Sequence, residues 1–212
     1  NEEFKTFFPT DLLETGHDII FFWVARMVFM SYFFMDTVPF HTVFLHPIVK
    51  DSQGRKMSKS LGNVVDPIEV IDGTTLEKLI EAIKAGNLPK HEVDKSVNEK
   101  KKEFPEGIPE CGADALRLGL MSYLVQGKNI NLDISRVVSY RFFGNKLWNA
   151  IKFLLIYTSK DFTYAPIDRT KLTFIDKWIL NKLSRTIQSF EKNFDEYNFG
   201  EATNKIYSFW YY

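Results

Sequence analysis

Two lysines three residues apart lie in a short loop rich in small residues, and these are groups able to do chemistry. The loop reads DSQGRKMSKSLGNVVDP over residues 51–67, called the lysine loop below, and it carries Lys56 and Lys59. A lysine ammonium is a compact point charge on a flexible stem, so it can follow a phosphate group as negative charge develops. Ser58 and Ser60 add hydroxyl donors. The loop predicts a triphosphate or pyrophosphate clamp, although a basic surface loop without a ligand explains the spacing equally well.

The charge balance of the whole chain restricts any polyanion contact to a local site. Lysine plus arginine number 27 and aspartate plus glutamate also number 27, so the chain does not coat nucleic acid through net charge. The single cysteine, Cys111, excludes an intramolecular disulfide framework and a cysteine-built zinc site. We therefore expect a reducing, cytoplasmic location. The first residue, Asn1, and the final letters YSFWYY suggest a piece of a longer protein.

An apolar run precedes the lysine loop and must be weighed as a membrane span. Residues 19–35 read IIFFWVARMVFMSYFFM and are apolar except for Arg26 and Ser31. The run is slightly short for a span of about 20 residues, and a central arginine costs about 2.5–3.5 kcal/mol on insertion. We therefore predict a buried helix of an α/β protein, with no membrane partner, covered by a sheet and by missing parts of its own chain.

The segment directly before the loop predicts the element that positions it. Residues 41–50, HTVFLHPIVK, are dense in β-branched and aromatic side chains, which is typical of a buried strand. Pro47 cannot donate to a strand ladder, so it should lie at the strand's end or at an edge. A helix, a strand and then a functional loop are the order found in doubly wound α/β sheets, where ligands bind beyond the carboxyl ends of the strands.

Helices follow the loop. TTLEKLIEAIKAG predicts a helix with a capping box of Thr74 and Glu77 and an end at Gly86. The charged stretch 90–110 predicts a solvated helix end and loop. Further helices are expected from Ala113, over about 135–157, around Ile175–Phe190 and from near Glu201 to the end. Together they predict an incomplete all-α bundle.

The string KMSKS followed by LGN and DP resembles the signature loop of class I aminoacyl-tRNA synthetases. In that family the loop stabilises the triphosphate while the aminoacyl-adenylate forms. TGHDIIFFWVARM resembles the segment that lines the adenosine and amino-acid pocket in the branched-aliphatic subgroup. GHDIIFFW, ECGADALRLGLMSYLVQGKNINLD and YRFFGNKLWNA are most similar to the valine-specific members. An isoleucine-specific enzyme and a non-catalytic tRNA-binding module remain alternatives.

The resemblance implies two domains and a set of partners. Residues 1–135 are expected to be the α/β C-terminal half of a Rossmann-like catalytic domain, with the signature loop and the stem-contact region. Residues 136–212 are expected to start an α-helical anticodon-binding domain. The implied substrates are valine, ATP with Mg²⁺ on its triphosphate, and the valine-specific tRNA, tRNA(Val). The other ATP signature of the family is absent, so we expect the isolated chain to be inactive.

The resemblance also implies roles for individual residues, without a metal site built from side chains. Lys59 is expected to contact ATP and the leaving pyrophosphate, with assistance from Lys56. The other expected ATP contacts are Gly16 and Asp18 at the ribose, His46, Ile48 and Val49 at the adenine, and Met57 and Ser58 in the loop. Trp23 is expected to form a wall of the amino-acid pocket. The residues alone favour a core side chain for Trp23, a helix N-terminal acid for Asp18 and a strand-end histidine for His46.

Overall fold

The N-terminal region, residues 1–46, contains a parallel strand pair. The computed structural model describes residues 1–86, 88–125, 127–158, 162–163 and 165–211. Its first elements are α1 (Glu2–Phe7), β1 (Thr10–Gly16), a 3₁₀ turn (His17–Ile19), a π turn (Ile20–Val24), α2 (Ala25–Met35) and β2 (Phe40–His46). β1 and β2 pair in parallel, from Thr10 opposite Phe40 to Gly16 opposite His46. Parallel pairing across a helical connection is the arrangement that the sequence predicts.

The apolar run before β2 is mostly exposed in this chain, so the two strands cover little of it, and its predicted burial under other parts of the protein stays a prediction. Val24 and Ser31 are buried, whereas most of its aromatic side chains face outward, with Phe21 84% exposed and Phe33 80% exposed. The run is also not one α-helix, because it starts with the 3₁₀ and π turns. By length and composition alone, His17–Met35 could cross a membrane. Sequence pattern shows that a segment is apolar, but it does not show which neighbour covers it.

The strand predicted over residues 41–50 is divided in two at Pro47. β2 ends at His46, as the proline requires, and β3 (Val49–Lys50) pairs in parallel with β4 (Ile130–Asn131) in a second small sheet. Exposure alternates along β2, so this strand is not the fully buried strand that its composition predicts. Both sheets nevertheless direct their strand ends toward the lysine loop region of the chain.

Helices make up most of the remaining chain. They are α3 (Pro67–Asp72), α4 (Leu76–Ala85), α5 (Lys90–Glu103), α6 (Ala113–Met121), α7 (Ile134–Tyr157), α8 (Phe174–Asp195) and α9 (Phe199–Tyr211), with a 3₁₀ turn at Arg169–Lys171. Two predictions need correction. Thr75, not Thr74, caps α4, because the backbone of Thr74 pairs with Ile108. The charged stretch 90–110 was predicted as a solvated helix end and loop. Its first part, Lys90–Glu103, is instead the complete helix α5, which has a buried face.

The core lies in the central region, residues 49–143. Its buried side chains come from α3, α4, α6, α7 and the segments between them, and they include Val70, Leu79, Leu116, Val137 and Phe143. Each of these helices buries residues on one face, as expected for amphipathic helices around one core. The lysine loop is attached directly to this core.

The C-terminal helices form an antiparallel pair, as the periodicity predicts. α8 begins with a capping box at Thr173 and Asp176, in which each residue bonds to the other's backbone. α9 packs against α8 and α6, and Gly200 lies so close to Leu124 that a Cβ would be 2.7 Å from its carbonyl oxygen. The second half of α7 is exposed, with Trp148 and Ile156 in solvent. The helical bundle is therefore only partly packed within this chain.

Candidate active site

Four of the predicted ATP-binding residues meet at the carboxyl ends of the first strands. Gly16 ends β1 and pairs with His46, which ends β2. A Cβ at Gly16 would lie 2.7 Å from the Asp18 Oδ1 atom and 2.9 Å from the Ile48 Cδ1 atom. A side chain at this position would therefore displace the ends of the Asp18 and Ile48 side chains. This edge of a parallel sheet is where α/β folds bind ligands.

Asp18 is joined to the lysine loop by an ion pair. The Lys56 Nζ atom donates to the Asp18 Oδ2 atom at 3.1 Å, and both side chains are partly open to solvent. This hydrogen bond lowers the pKa of Asp18 below its ordinary value, so the carboxylate is ionised at neutral pH. The Asp18 Oδ1 atom is not part of this ion pair. One carboxylate can therefore hold Lys56 and still accept from a hydroxyl.

The backbone of Ile48 and Val49 is fixed by the second sheet. The Ile48 carbonyl accepts from Ile130 N at 3.0 Å, and Ile48 N donates to the Asn129 side chain at 3.3 Å. Alternate residues of a parallel strand bond to the same neighbour, so the N–H and C=O of Val49 point away from β4. At the end of β2, the His46 Nδ1 atom lies 3.0 Å from the Pro47 carbonyl oxygen. The backbone N–H and C=O of Val49 are therefore not used in the pairing with β4.

The lysine loop is organised around a buried carboxylate, Asp51. Its Oδ1 atom accepts from Gln53 N at 3.1 Å and Arg55 N at 2.8 Å, and its Oδ2 atom accepts from Arg55 Nε and Asn63 Nδ2. Burial raises the pKa of Asp51, but the hydrogen bonds from Asn63 and Arg55 outweigh it and lower the pKa overall. Asp51 is therefore an ionised structural centre of the loop.

Asn63 carries this organisation to the segment between the two lysines. Its Oδ1 atom accepts from Ser58 N at 2.9 Å, and its Nδ2 atom donates to the Lys56 carbonyl at 3.3 Å. Met57 packs against the core, so its side chain anchors the loop and only its backbone remains available for a phosphate contact. The hydroxyls of Ser58 and Ser60 lie 3.1 Å apart. The two lysine side chains thus extend from a fixed backbone.

Lys59 lies on the side of the lysine loop that faces α4. It is exposed and lines a cavity of about 400 Å³ between the loop and α4, together with Leu79, Ile83 and Lys100. Lys100 is only 5% exposed, and burial lowers the pKa of its ammonium. Among the described residues, Lys59 has neither an ion pair nor a hydrogen bond from its side chain. The structure therefore unites Lys56 with Asp18 but leaves Lys59 free to move.

Trp23 lies in the π turn and its ring is 58% exposed. At this exposure, the described residues do not enclose Trp23 in the predicted amino-acid pocket. No group of three or more histidine, cysteine, aspartate or glutamate side chains could hold a metal ion in the part of the chain that the structure describes.

Sequence reasoning missed the support of the loop. Asp51, Asn63 and Glu99 hold its shape, and Arg55 joins them, with its guanidinium bonded to both Asp51 and Glu99. Asp51 was recognisable from the sequence, because an aspartate followed by small residues and glycine favours an Asx turn. Glu99 was not, because it is 44 residues from Arg55 along the chain.

Comparison with known proteins decides the family. Residues 1–133 match the profile of class I tRNA synthetases for isoleucine, leucine, methionine and valine, and residues 176–212 match the anticodon-binding domain of tRNA ligases. The chain belongs to the class I tRNA synthetases. The synthetase chain is 47% identical to a valine–tRNA ligase of Rattus norvegicus and 49% identical to a mitochondrial valine–tRNA ligase of Arabidopsis thaliana. Both alignments cover all of this chain but only 17% and 19% of those relatives.

A solved structure supports the same fold. The synthetase chain superposes with a TM-score of 0.66 and 20% identity on the leucyl enzyme of Agrobacterium radiobacter K84, solved as a ternary complex with tRNA and LeuAMS. The match covers 95% of this chain and 22% of that one. The fold class predicted from sequence is thereby confirmed: part of a Rossmann-like catalytic domain followed by helices. The chain spans about a fifth of the length of the proteins that it matches.

Proposed function

We propose that the protein carrying this chain ligates valine to tRNA(Val) at the expense of ATP. The proposal is supported by valine–tRNA ligases at 45–49% identity over nearly the whole chain. In it, residues 1–135 complete the catalytic domain and contact the tRNA stem, and residues 136–212 begin the anticodon-binding domain. The valine carboxylate attacks the α-phosphate of ATP, the bond to pyrophosphate breaks, and a hydroxyl at the tRNA 3′ end then displaces AMP.

The lysine loop stabilises the departing pyrophosphate. Lys59 supplies a movable ammonium to the charge that builds on the leaving group, and Lys56 assists from its position beside Asp18. Ser58 contributes its hydroxyl and Met57 its backbone. Such contacts are worth more in the transition state than in the ground state, and therefore they raise the rate rather than the affinity.

The strand ends hold the adenosine. Gly16 leaves room for the ribose, and Asp18 accepts a hydrogen bond from a ribose hydroxyl through its free oxygen. His46, Ile48 and the outward backbone edge of Val49 flank the adenine. Trp23 forms one wall of the valine pocket, and the other walls come from parts of the protein outside this chain.

Mg²⁺ fits this reaction as a companion of the triphosphate. It neutralises phosphate charge when bound and usually keeps several water ligands, so it needs few protein carboxylates. The described residues offer it no cluster of their own. Lys56 and Lys59 act on the remaining phosphate oxygens.

The observation that carries the proposal is the contact of Lys56 with Asp18, because it brings the lysine loop to the strand ends where nucleotides bind. The test is ATP–pyrophosphate exchange by the full-length protein with valine, with isoleucine and without an amino acid. Exchange that depends on valine supports the proposal. Exchange that depends on isoleucine would indicate an isoleucine-specific enzyme instead. The absence of exchange would favour a non-catalytic tRNA-binding module.

Two further expectations belong to this proposal. The isolated chain should neither activate valine nor bind ATP with micromolar affinity, since it supplies about half of the site, and calorimetric titration with ATP measures this.

We also propose a cytoplasmic location, supported by the buried free thiol of Cys111. Relatives of similar identity include mitochondrial enzymes, so fractionation of cells is the deciding measurement.

A further inference from the structure

Helix α5 turns one polar face toward the lysine loop. Ser96, Glu99 and Lys100 are spaced at i, i+3 and i+4, which places them on the same side of the helix. Ser96 and Lys100 are buried and Glu99 is half-buried, whereas Asp94 and Lys95 face solvent. Polar groups are rarely buried on a helix without a partner, and here the loop supplies the partners for Ser96 and Glu99.

This face holds the loop on both sides of the two lysines. The Glu99 carboxylate binds the Arg55 guanidinium with two bonds, Nη1 to Oε1 at 3.2 Å and Nη2 to Oε2 at 2.8 Å. The Ser96 hydroxyl donates to the Leu61 carbonyl at 3.1 Å. A two-bond contact between guanidinium and carboxylate fixes orientation as well as distance. One helix therefore restrains the arm that enters the loop and the arm that leaves it.

The loop also approaches the helices too closely for a side chain at Gly62. Gly62 has φ +62°, and a Cβ there would lie 2.8 Å from Leu88 Cδ1 and 2.9 Å from Ser96 Oγ. This close packing and the two polar contacts lie on the same side of the loop. Leu88 and helix α5 (Lys90–Glu103) are thus the surface on which the loop rests.

A continuous series of hydrogen bonds leads from Glu99 to the backbone between the lysines. Arg55, held by Glu99, donates through Nε to Asp51 Oδ2 at 2.8 Å. Asn63 donates to the same oxygen at 2.9 Å and accepts from Ser58 N at 2.9 Å. Glu99 is therefore connected to the segment that carries Lys56 and Lys59 without touching either of them.

We infer that helix α5 positions the lysine loop for pyrophosphate departure, with Glu99 as a positioning residue acting through Arg55. This inference rests on the proposed function of the loop. Loss of the Glu99 contact lets the loop shift on its support, so that Lys59 meets the developing charge less often. A displacement near 1 Å is enough to slow a reaction by about 10²-fold.

The test is Glu99→Gln in the full-length protein, because glutamine keeps the length of the side chain but loses its charge and one acceptor. Adenylate formation, followed by rapid quench, should slow by roughly 10- to 10²-fold. The valine dissociation constant should not change, since the loop acts in the transition state. Asp94→Asn, which removes an exposed carboxylate from the same helix, should react at the normal rate.

Coupling and stability separate positioning from simple folding. Arg55→Gln with Glu99→Gln should be no slower than the slower single variant, because both remove one contact. Glu99→Asp keeps the charge and should have an intermediate rate. The inference is overturned if Glu99→Gln matches Asp94→Asn while Lys59→Ala is slow. It is also overturned if the loss of rate in Glu99→Gln equals the fraction of that variant that is unfolded, as measured by thermal denaturation. A normal rate for Lys59→Ala overturns the proposed function itself.

Discussion

The N-terminal and central regions contain similar apolar side chains but bury them to different extents. In the central region, helices from three directions enclose Val70, Val137 and Phe143, which are almost completely buried. In the N-terminal region, α2 presents Phe33 and Phe34 to solvent. Apolar composition stabilises a fold only where another element removes it from water. The lysine loop belongs to the central region, where Arg55 binds Glu99 and Met57 packs against the core, and it touches the N-terminal region through Lys56.

The largest effect should separate these regions by stability. Phe143 is 2% exposed and packs against Tyr207 and Tyr211, so Phe143→Ala should lower the free energy of unfolding by about 3–5 kcal/mol. The matched change Phe33→Ala should alter the stability of this chain by less than about 0.5 kcal/mol. Urea unfolding measures both. Equal losses would show that the exposed run of α2 is packed as firmly as the core.

The same pair of variants sharpens the comparison in the full-length protein. There Phe33→Ala should cost several times more than in the isolated chain if the rest of the protein covers α2. An unchanged small cost would mean that α2 stays exposed. The cost of Phe143→Ala should be similar in both backgrounds, because the neighbours of Phe143 belong to this chain.

The second effect concerns the loop that joins the two regions. In the full-length protein, Lys59→Ala should slow adenylate formation by about 10²–10³-fold, or about 2.7–4 kcal/mol, with little change in valine affinity. Lys59→Arg should restore little, because a planar guanidinium does not replace a movable point charge. Lys56→Ala should be milder, since Lys56 is shared with Asp18. A raised valine dissociation constant with normal chemistry would refute the pyrophosphate role.

Local patterns in the sequence predicted what depends on local residues. The periodicity of apolar residues predicted α7, α8 and α9, and Pro47 predicted the end of β2. KMSKS predicted the family through one short string. These features depend on neighbours within a few residues, which the sequence displays directly.

Features that depend on distant partners were missed or misread. In the sequence, Glu99 is one more charge in a charged segment, and only folding brings it to Arg55. The sequence predicts that Lys100 is solvated, but Lys100 is buried beside the loop. The covered face of α2 could not be predicted, because apolar residues occupy all sides of that helix. Site residues close to a motif were therefore easier to predict than the residues that hold the motif in place.

The third prediction uses acid to weaken the attachment of the loop to the central region. Hydrogen bonds from Arg55 lower the pKa of Glu99, and those from Asn63 and Arg55 outweigh burial in lowering the pKa of Asp51. Both carboxylates therefore stabilise the fold above their ordinary values of 4.5 and 3.8, and this is lost as pH falls through the lower folded values. The loss should be smaller than that from Phe143→Ala.

Urea unfolding between roughly pH 3 and pH 7 measures this acid effect, because this range includes the ordinary pKa values of both carboxylates. Asp51→Asn should be less stable at neutral pH and should show a flatter decline toward acid. Asp94→Asn, on the solvent face of α5, should follow the unmodified chain. Parallel curves for the unmodified chain and Asp51→Asn would show that this carboxylate does not stabilise the loop.

The smallest effect tests the buried lysine behind the loop. The Lys100 ammonium lies 5.1 Å from the Phe104 ring centroid, and burial lowers its pKa, so its charged form is disfavoured in the folded state.

Lys100→Met keeps the length of the side chain and removes the charge. It should change stability by between zero and about +1 kcal/mol, because relief of desolvation exceeds the lost cation–π contact of about 0.5–1 kcal/mol. Because the folded pKa is the lower one, the penalty on the Lys100 charge is full below that folded pKa and fades as pH rises from it toward 10.5. The advantage of methionine, measured by urea unfolding, should therefore shrink in alkaline solution. A clear loss of stability at neutral pH would show instead that the ammonium supports the wall on which the lysine loop rests.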